Sequence, residues 1–420
     1  MPPIEDLLRG ELKRVADTAQ PGQLRPLQMP VPGRRWHLRL LPVAAAAAVI
    51  AVAVAAVLVA GPKPAPPAAP GPAAIPRYYL TFTFVQDHQV HDLPVTEAVV
   101  RDSASGKITG TLQILTDFFP APVTVAAAPD DRSFIIGTDK IVSTGTRGQR
   151  IQEYRFFRLP ISPDGKPGHL AELPAYPLPT NALYITGIAL SPDGTRLAVS
   201  TTYGVGREDG HAASMAAEVE VINLVTGTVR TWTAGMQDGH YYEPGPPSWA
   251  DGDQMIAFTW QRAESLNNDS MTMEGVKLLD TEASGDNLAD APTIMPKNAV
   301  NGTIESALIT PDGRDVLVAT SQEVPPGGGR GTIFVQISEV PTAGGGPVRV
   351  LRTETARATA TTQAGISDSG QVLSLAPGGR YALIQCIQFG WLDLDLGRFT
   401  PLPAYSPSPP GQVAIIYGVW

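Results

Sequence analysis

Cysteine is almost missing from this 420-residue chain: Cys386 stands alone, so no intramolecular disulfide frames the fold. Charge is also sparse, at 17% of residues, and its balance is acidic, with a formal net charge of −9. A chain of that balance lacks the basic surface that nucleic acid demands, and nucleic acid is excluded as a partner. Catalytic signatures are missing too. GISDSG at 365–370 has the wrong spacing for a nucleophile elbow, and SASGKIT at 103–109 has Arg101 where a phosphate loop needs its first glycine. His88 and His91 have no third ligand nearby, and the DGD at 251–253 sits in a turn rather than a calcium loop. From these absences the expectation is no metal, no cofactor and no enzyme.

Turn-formers fill the gap. Gly and Pro each number 41, which suits many short strands joined by tight turns. Five turn signals recur about sixty residues apart: APDD (128–131), SPDG (191–194), WADG (249–252), TPDG (310–313) and APGG (376–379). Pro presets the first turn position, Asp closes a local hydrogen bond, and Gly accepts positive φ. Apolar runs follow each turn: SFIIG, RLAVS, QMIAFTW, DVLVAT and YALIQ. Strand–turn–strand segments form a second series at 99–112, 157–173, 221–232, 276–289, 335–351 and 391–402. Six outer hairpins against five inner ones leave one unit short, while the strand-like run 411–420 has no partner. An all-β, six-bladed propeller resolves both if that last strand joins 78–84 and the 99–112 hairpin, closing the ring and removing its edges. Trp249, Trp260 and Trp391 lie in strand runs and are expected in the core. Cys386, in YALIQCIQ, is expected as a small buried hydrophobe within a strand.

The chain ahead of the repeats has its own pattern. Residues 40–60 form an uncharged, Ala/Val-rich run of 21, long enough as a helix (roughly 32 Å) to cross a bilayer. A cleaved signal peptide would carry an unusually long basic region and lacks a good cleavage site here. Arg9, Lys13, Arg14, Arg25, Arg34, Arg35 and Arg39 precede the run, and Lys63 alone follows it before Arg77, which puts the N-terminus in the cytoplasm. Ile4, Leu7, Leu8, Leu12 and Val15 give residues 4–18 a short amphipathic helix, a candidate docking element for a cytoplasmic partner. Seven prolines in residues 61–76 make an extended linker. The expected organisation is therefore a cytoplasmic tail (1–39), a single transmembrane helix (40–60), a Pro/Ala-rich linker (61–76) and an extracytoplasmic propeller (77–420).

The SPDGTRLAVS repeat at 191–200, followed by the VINLVTGTVRTW hairpin at 221–232, resembles TolB-like and WD-repeat-like bacterial propellers over roughly residues 78–420. Trp-Asp dipeptides are missing. The whole layout is similar to single-pass, membrane-anchored actinobacterial proteins with an outer propeller. That resemblance implies protein binding or scaffolding and transfers no site residue.

Loop lengths direct attention to one face. First-to-second turns are short, whereas 137–152, 202–217, 234–247, 261–272, 321–331 and 352–365 read as long segments at the opposite mouth of the channel. Recognition concentrates in loops held by a rigid scaffold. Arg207, His240, Tyr241, Tyr242 and Arg262, in the richest of these loops, are the candidate ligand contacts, since aromatic and Arg anchors dominate interfaces. The leading expectation is a scaffold or sensor for an unidentified protein or cell-envelope ligand. Its rivals are a hydrolase or lactonase with converging acidic groups at the channel mouth, and a passive spacer whose cytoplasmic helix does the work.

Overall fold

A computed structural model describes residues 75–85, 95–113, 124–143, 150–174, 182–206, 212–263, 271–324, 332–342, 346–357, 371–402 and 412–419. The expected cytoplasmic helix, the 40–60 span and most of the linker lie outside these residues, as do His88, His91 and Arg207. Among the described residues no helix is long and apolar enough to cross a membrane.

Six antiparallel sheets make up the fold. Blade 1 holds β1 (Tyr78–Val85), β2 (Val95–Asp102) and β3 (Ile108–Gln113); blade 2 holds β4 (Thr124–Ala127), β5 (Ser133–Ser143), β6 (Arg150–Pro160) and β7 (Ala171–Glu172). Blade 3 runs through β8 (Ala182–Leu190), β9 (Arg196–Gly206), β10 (Ala212–Asn223) and β11 (Val229–Ala234). Blade 4 has a split inner strand, β12 (Tyr241–Pro244) and β13 (Ser248–Ala250), then β14 (Met255–Ala263), β15 (Met271–Asp280) and β16 (Thr293–Pro296). Blade 5 is β17 (Thr303–Ile309), β18 (Asp315–Val324), β19 (Thr332–Pro341) and β20 (Arg349–Arg357). Blade 6 is β21 (Gln371–Leu375), β22 (Tyr381–Gln385), β23 (Phe389–Asp393) and β24 (Arg398–Pro401). The final strand, β25 (Gln412–Val419), pairs antiparallel with β1 and completes blade 1 as its innermost strand. The all-β, six-bladed propeller closed by its C-terminal strand is therefore observed.

The recurrent turns do what their chemistry dictates. In SPDG the Ser191 hydroxyl donates to Asp193 Oδ1 (2.6 Å), and Asp193 accepts from the Thr195 amide (2.9 Å). Gly194 closes the turn onto Ser191 O at φ 72°, a left-handed conformation that favours glycine. TPDG repeats the arrangement with Thr310 and Asp312. Two expectations needed correction. Much of the sequence read as long loops is strand: β9 and β10 leave only 207–211 between them, and β18 and β19 only 325–331. Cys386 is buried as expected, with its thiol pushed up to about 12 by desolvation, but it sits in the bend after β22, which ends at Gln385.

Both faces of each blade are covered, so every junction has its own apolar core. Leu80, Phe82 and Val100 pack on Phe134, Ile136 and Leu159 between blades 1 and 2. Trp232, Trp249, Phe258 and Trp260 fill the junction of blades 3 and 4. Tyr79 meets Trp391 edge-on at 6.1 Å across the closing junction, where Trp391 Nε1 also donates to Ser103 O (2.9 Å). The three tryptophans expected inside are at most 6% exposed.

Coverage on both faces also buries polar residues. Glu218 and Glu220 of β10 are each 3% exposed, on the side of blade 3 that faces Tyr154 and Phe156 of blade 2. Burial raises both carboxyls. Desolvation, the nearby Glu218 charge and a hydrogen bond between the two groups push Glu220 toward about 9. A proton is thus held in the fold where the unfolded chain, with an ordinary value of 4.5, has lost it. Stability from this pair is complete below about pH 4.5 and declines as pH rises toward about 9. The variant E220Q keeps a neutral side chain at all pH values. It should unfold at a temperature a few degrees higher than wild type at pH 8, and show a flatter pH profile from 5 to 9. Identical slopes in thermal denaturation would refute the shared-proton account.

Candidate functional site

Each innermost strand hydrogen-bonds on one edge only, so its other edge turns main-chain N–H and C=O groups toward the ring axis. Two of those amides are captured by hydroxyls of the preceding blade. Ser248 Oγ accepts from Ile309 N (3.0 Å), and Ser306 Oγ accepts from Val372 N (2.7 Å). Trp249 Nε1 reaches back to Ala189 O (3.0 Å). These bonds stitch the inner strands of blades 3 to 6 and fix the wall of an axial cavity of about 390 Å³.

Backbone irregularities shape that wall. The register shifts between Ile185 and Gly187 on β8, between Ile304 and Ser306 on β17, and between Val372 and Ser374 on β21. Each shift inserts one unpaired residue, Thr186, Glu305 or Leu373, and all three line the cavity. A bulge re-aims a side chain that regular alternation would commit to an inter-blade face. Blade 4 achieves more with a gap: 245–247, Gly-Pro-Pro, interrupts its inner strand, and Thr259 and Gln261 of β14 line the cavity there. The interruption needs two glycines. A Cβ on Gly245 would lie 1.9 Å from Thr259 Oγ1, and one on Gly187 would lie 2.6 Å from the Cα of Pro246.

The cavity has two unlike ends. Pro129, Pro192, Pro311 and Pro377, from the recurrent turns, line one. Toward the other lie Gln371, Gln261, Thr186 and Glu305. Glu305 precedes Pro311 by six residues, roughly 20 Å along a strand. Ser321 Oγ of β18 donates to Glu305 Oε1 and orients the carboxylate. Between the ends Val125, Ile188, Leu308 and Leu375 give apolar surface, interspersed with the hydroxyls of Ser248, Ser306 and Ser374.

The residues singled out in the sequence lie elsewhere. Tyr241 and Tyr242 belong to β12, where Tyr242 is in register with Arg262 of β14. Tyr242 stacks on Trp260 at 5.1 Å and 11°, packed against the core of blades 3 and 4. Arg262 pairs with Glu274 (3.3 Å), which also holds Lys297 (3.0 Å). His240 closes a tight turn with Gln237, and its Nδ1 is buried with no hydrogen-bond partner among the described residues. These four residues are brought together on blade 4, and none lines the axial cavity. Glu305 was missed. Its only trace in the sequence is a carboxylate within the strand TIESALI, just upstream of a recurrent turn.

Fold and site together define a six-bladed propeller with an axial channel that side chains enter by design of the backbone. No protein-family model matches the chain, and no curated protein matches it. Solved structures do. Hydrazine synthase of Kuenenia stuttgartiensis is similar at 13% identity and a TM-score of 0.37, with 74% of this chain and 76% of that one covered. The periplasmic gluconolactonase of Pseudomonas aeruginosa shares 13% identity at a TM-score of 0.37, over 77% of this chain and 95% of that one. Prolyl oligopeptidase B of Galerina marginata shares 9% identity at a TM-score of 0.39, over 78% of this chain and 40% of its own. Against the expectation of no enzyme, the neighbours named here include hydrolases; at this degree of likeness they speak to the fold alone.

Gly245 gives the site a direct test. The G245A variant should lose about 1–3 kcal/mol of stability through overpacking against Thr259. Adding T259A removes the clashing oxygen and should restore most of that loss in a double-mutant cycle. Simple additivity of the two substitutions would contradict the packing described.

Proposed function

We propose that this protein is a membrane-anchored, extracytoplasmic propeller that takes a ligand into its axial channel, as a scaffold or as the sensory half of a signalling unit. The observation that carries the reading is the cavity of about 390 Å³, within the range of small-ligand pockets, into which three bulges and a broken strand deliver side chains. The anchor and the outward orientation rest on the 40–60 run and on the Lys/Arg excess ahead of it. A hydrolase of the acidic kind calls for at least three converging Asp, Glu, Asn or His groups. Among the described residues the cavity holds one such group, Glu305.

Channel capture is tested with a fragment collection of amines, acids, sugars and short peptides. Fragments that raise the unfolding temperature of wild type should lose that effect in Q371W, whose indole fills the cavity mouth. Retention of every shift in Q371W would move binding away from the channel. Location is tested with V225C, since Val225 is 77% exposed in a turn while Cys386 is buried and its thiol is raised to about 12. A membrane-impermeant maleimide should label V225C in intact cells and leave wild type unlabelled; labelling only after lysis would reverse the proposed orientation.

A further inference from the structure

We propose that the channel selects a small organic cation, an alkylammonium or amidinium group carried on an apolar stem, and that Glu305 is the residue that selects it. This rests on the channel being the ligand site. Glu305 is the only ionisable side chain lining the cavity among the described residues. The sixth wall cannot supply a neutralising charge, because the sequence of β25, QVAIIYGV, contains no acidic or basic residue. Among the described residues no Lys, Arg or His forms an ion pair with Glu305.

Its placement is built rather than incidental. On β17, Ile304, Ala307 and Ile309 are buried in the core shared with blade 4. Glu305 would fall into that alternation but for the bulge, which leaves it unpaired between Ile304 and Ser306. The next residue, Ser306, is fixed by the bond from Val372 N, so the bulge cannot slide along the strand. Ser321 occupies one carboxylate oxygen, Oε1, and sets the direction of the other. A half-buried carboxylate so held, without a counter-charge among the described residues, is a ready acceptor for charge-assisted hydrogen bonds.

The surroundings decide which kind of cation fits. A calcium or magnesium ion asks for a compact shell of six or more oxygens, whereas among the described residues one carboxylate stands here in a cavity whose polar residues are spread over several blades. Gln261, Gln371 and Thr186 add neutral hydrogen-bonding groups, while Leu373, Ile188 and Leu308 offer apolar surface to a stem. A volume of about 390 Å³ admits a small molecule and leaves little room for a folded segment.

The test is calorimetric titration of full-length protein at pH 7.5 with benzylammonium and with benzyl alcohol, its uncharged counterpart of the same shape. Wild type should bind benzylammonium about tenfold more tightly than benzyl alcohol. E305Q should keep the fold and lose the preference, E305D should retain part of it, and Q371W should bind neither probe. If wild type and E305Q bind both probes equally while Q371W binds neither, the charge selection is overturned and the channel reading survives. If Q371W binds as wild type does, or if wild type binds neither probe, the channel reading falls together with the selection.

Discussion

Everything in this molecule depends on one strand pairing. β25, the last strand in sequence, adds to β1, the first strand of the ring, and supplies the inner wall of a blade that would otherwise lack one. Without it, β1 would present an unpaired edge to solvent, and the junction of blades 6 and 1 would lose its support. Among the described residues that junction rests on Tyr79, Trp391 and the Trp391–Ser103 hydrogen bond. Closure converts six weak sheets into one cooperative body, because each blade then packs on two neighbours.

The channel is a consequence of the same closure. Inner strands that converge on an axis cannot pair with one another, so their free edges and their bulges face inward together. Hydroxyls from Ser248 and Ser306 then do the work that a missing sheet partner would do, bonding the amides of Ile309 and Val372. Fixed in this way, the bulges hold Thr186, Glu305 and Leu373 toward the cavity. The cavity is therefore built from the wall of the ring.

Much of this was legible in the sequence, and the physical reasons are local. The turns at 191–194 and 310–313 encode their own geometry through a hydroxyl, a carboxylate and a glycine, and six outer hairpins against five inner ones already implied an exchanged strand. Features set by neighbours were not legible. Glu218 and Glu220 alternate with Val219 and Val221, and nothing in that alternation tells that a second blade covers them. The bulge at Glu305 depends on register between β17 and β18, which no single strand reveals. Tyr242 and Arg262 were singled out by loop composition, which did not reveal that β12 and β14 extend to include them or that they form a stack and an ion pair.

Ring closure can be measured most directly by native hydrogen exchange followed by mass spectrometry on the full-length protein. If β25 is part of the closed ring, the amides of 412–419 and of Tyr78–Val85 should exchange together, at the rate set by unfolding of the whole propeller. Fast exchange of 412–419 at the rate of a free peptide, with β8 to β24 still protected, would contradict closure and the account built on it.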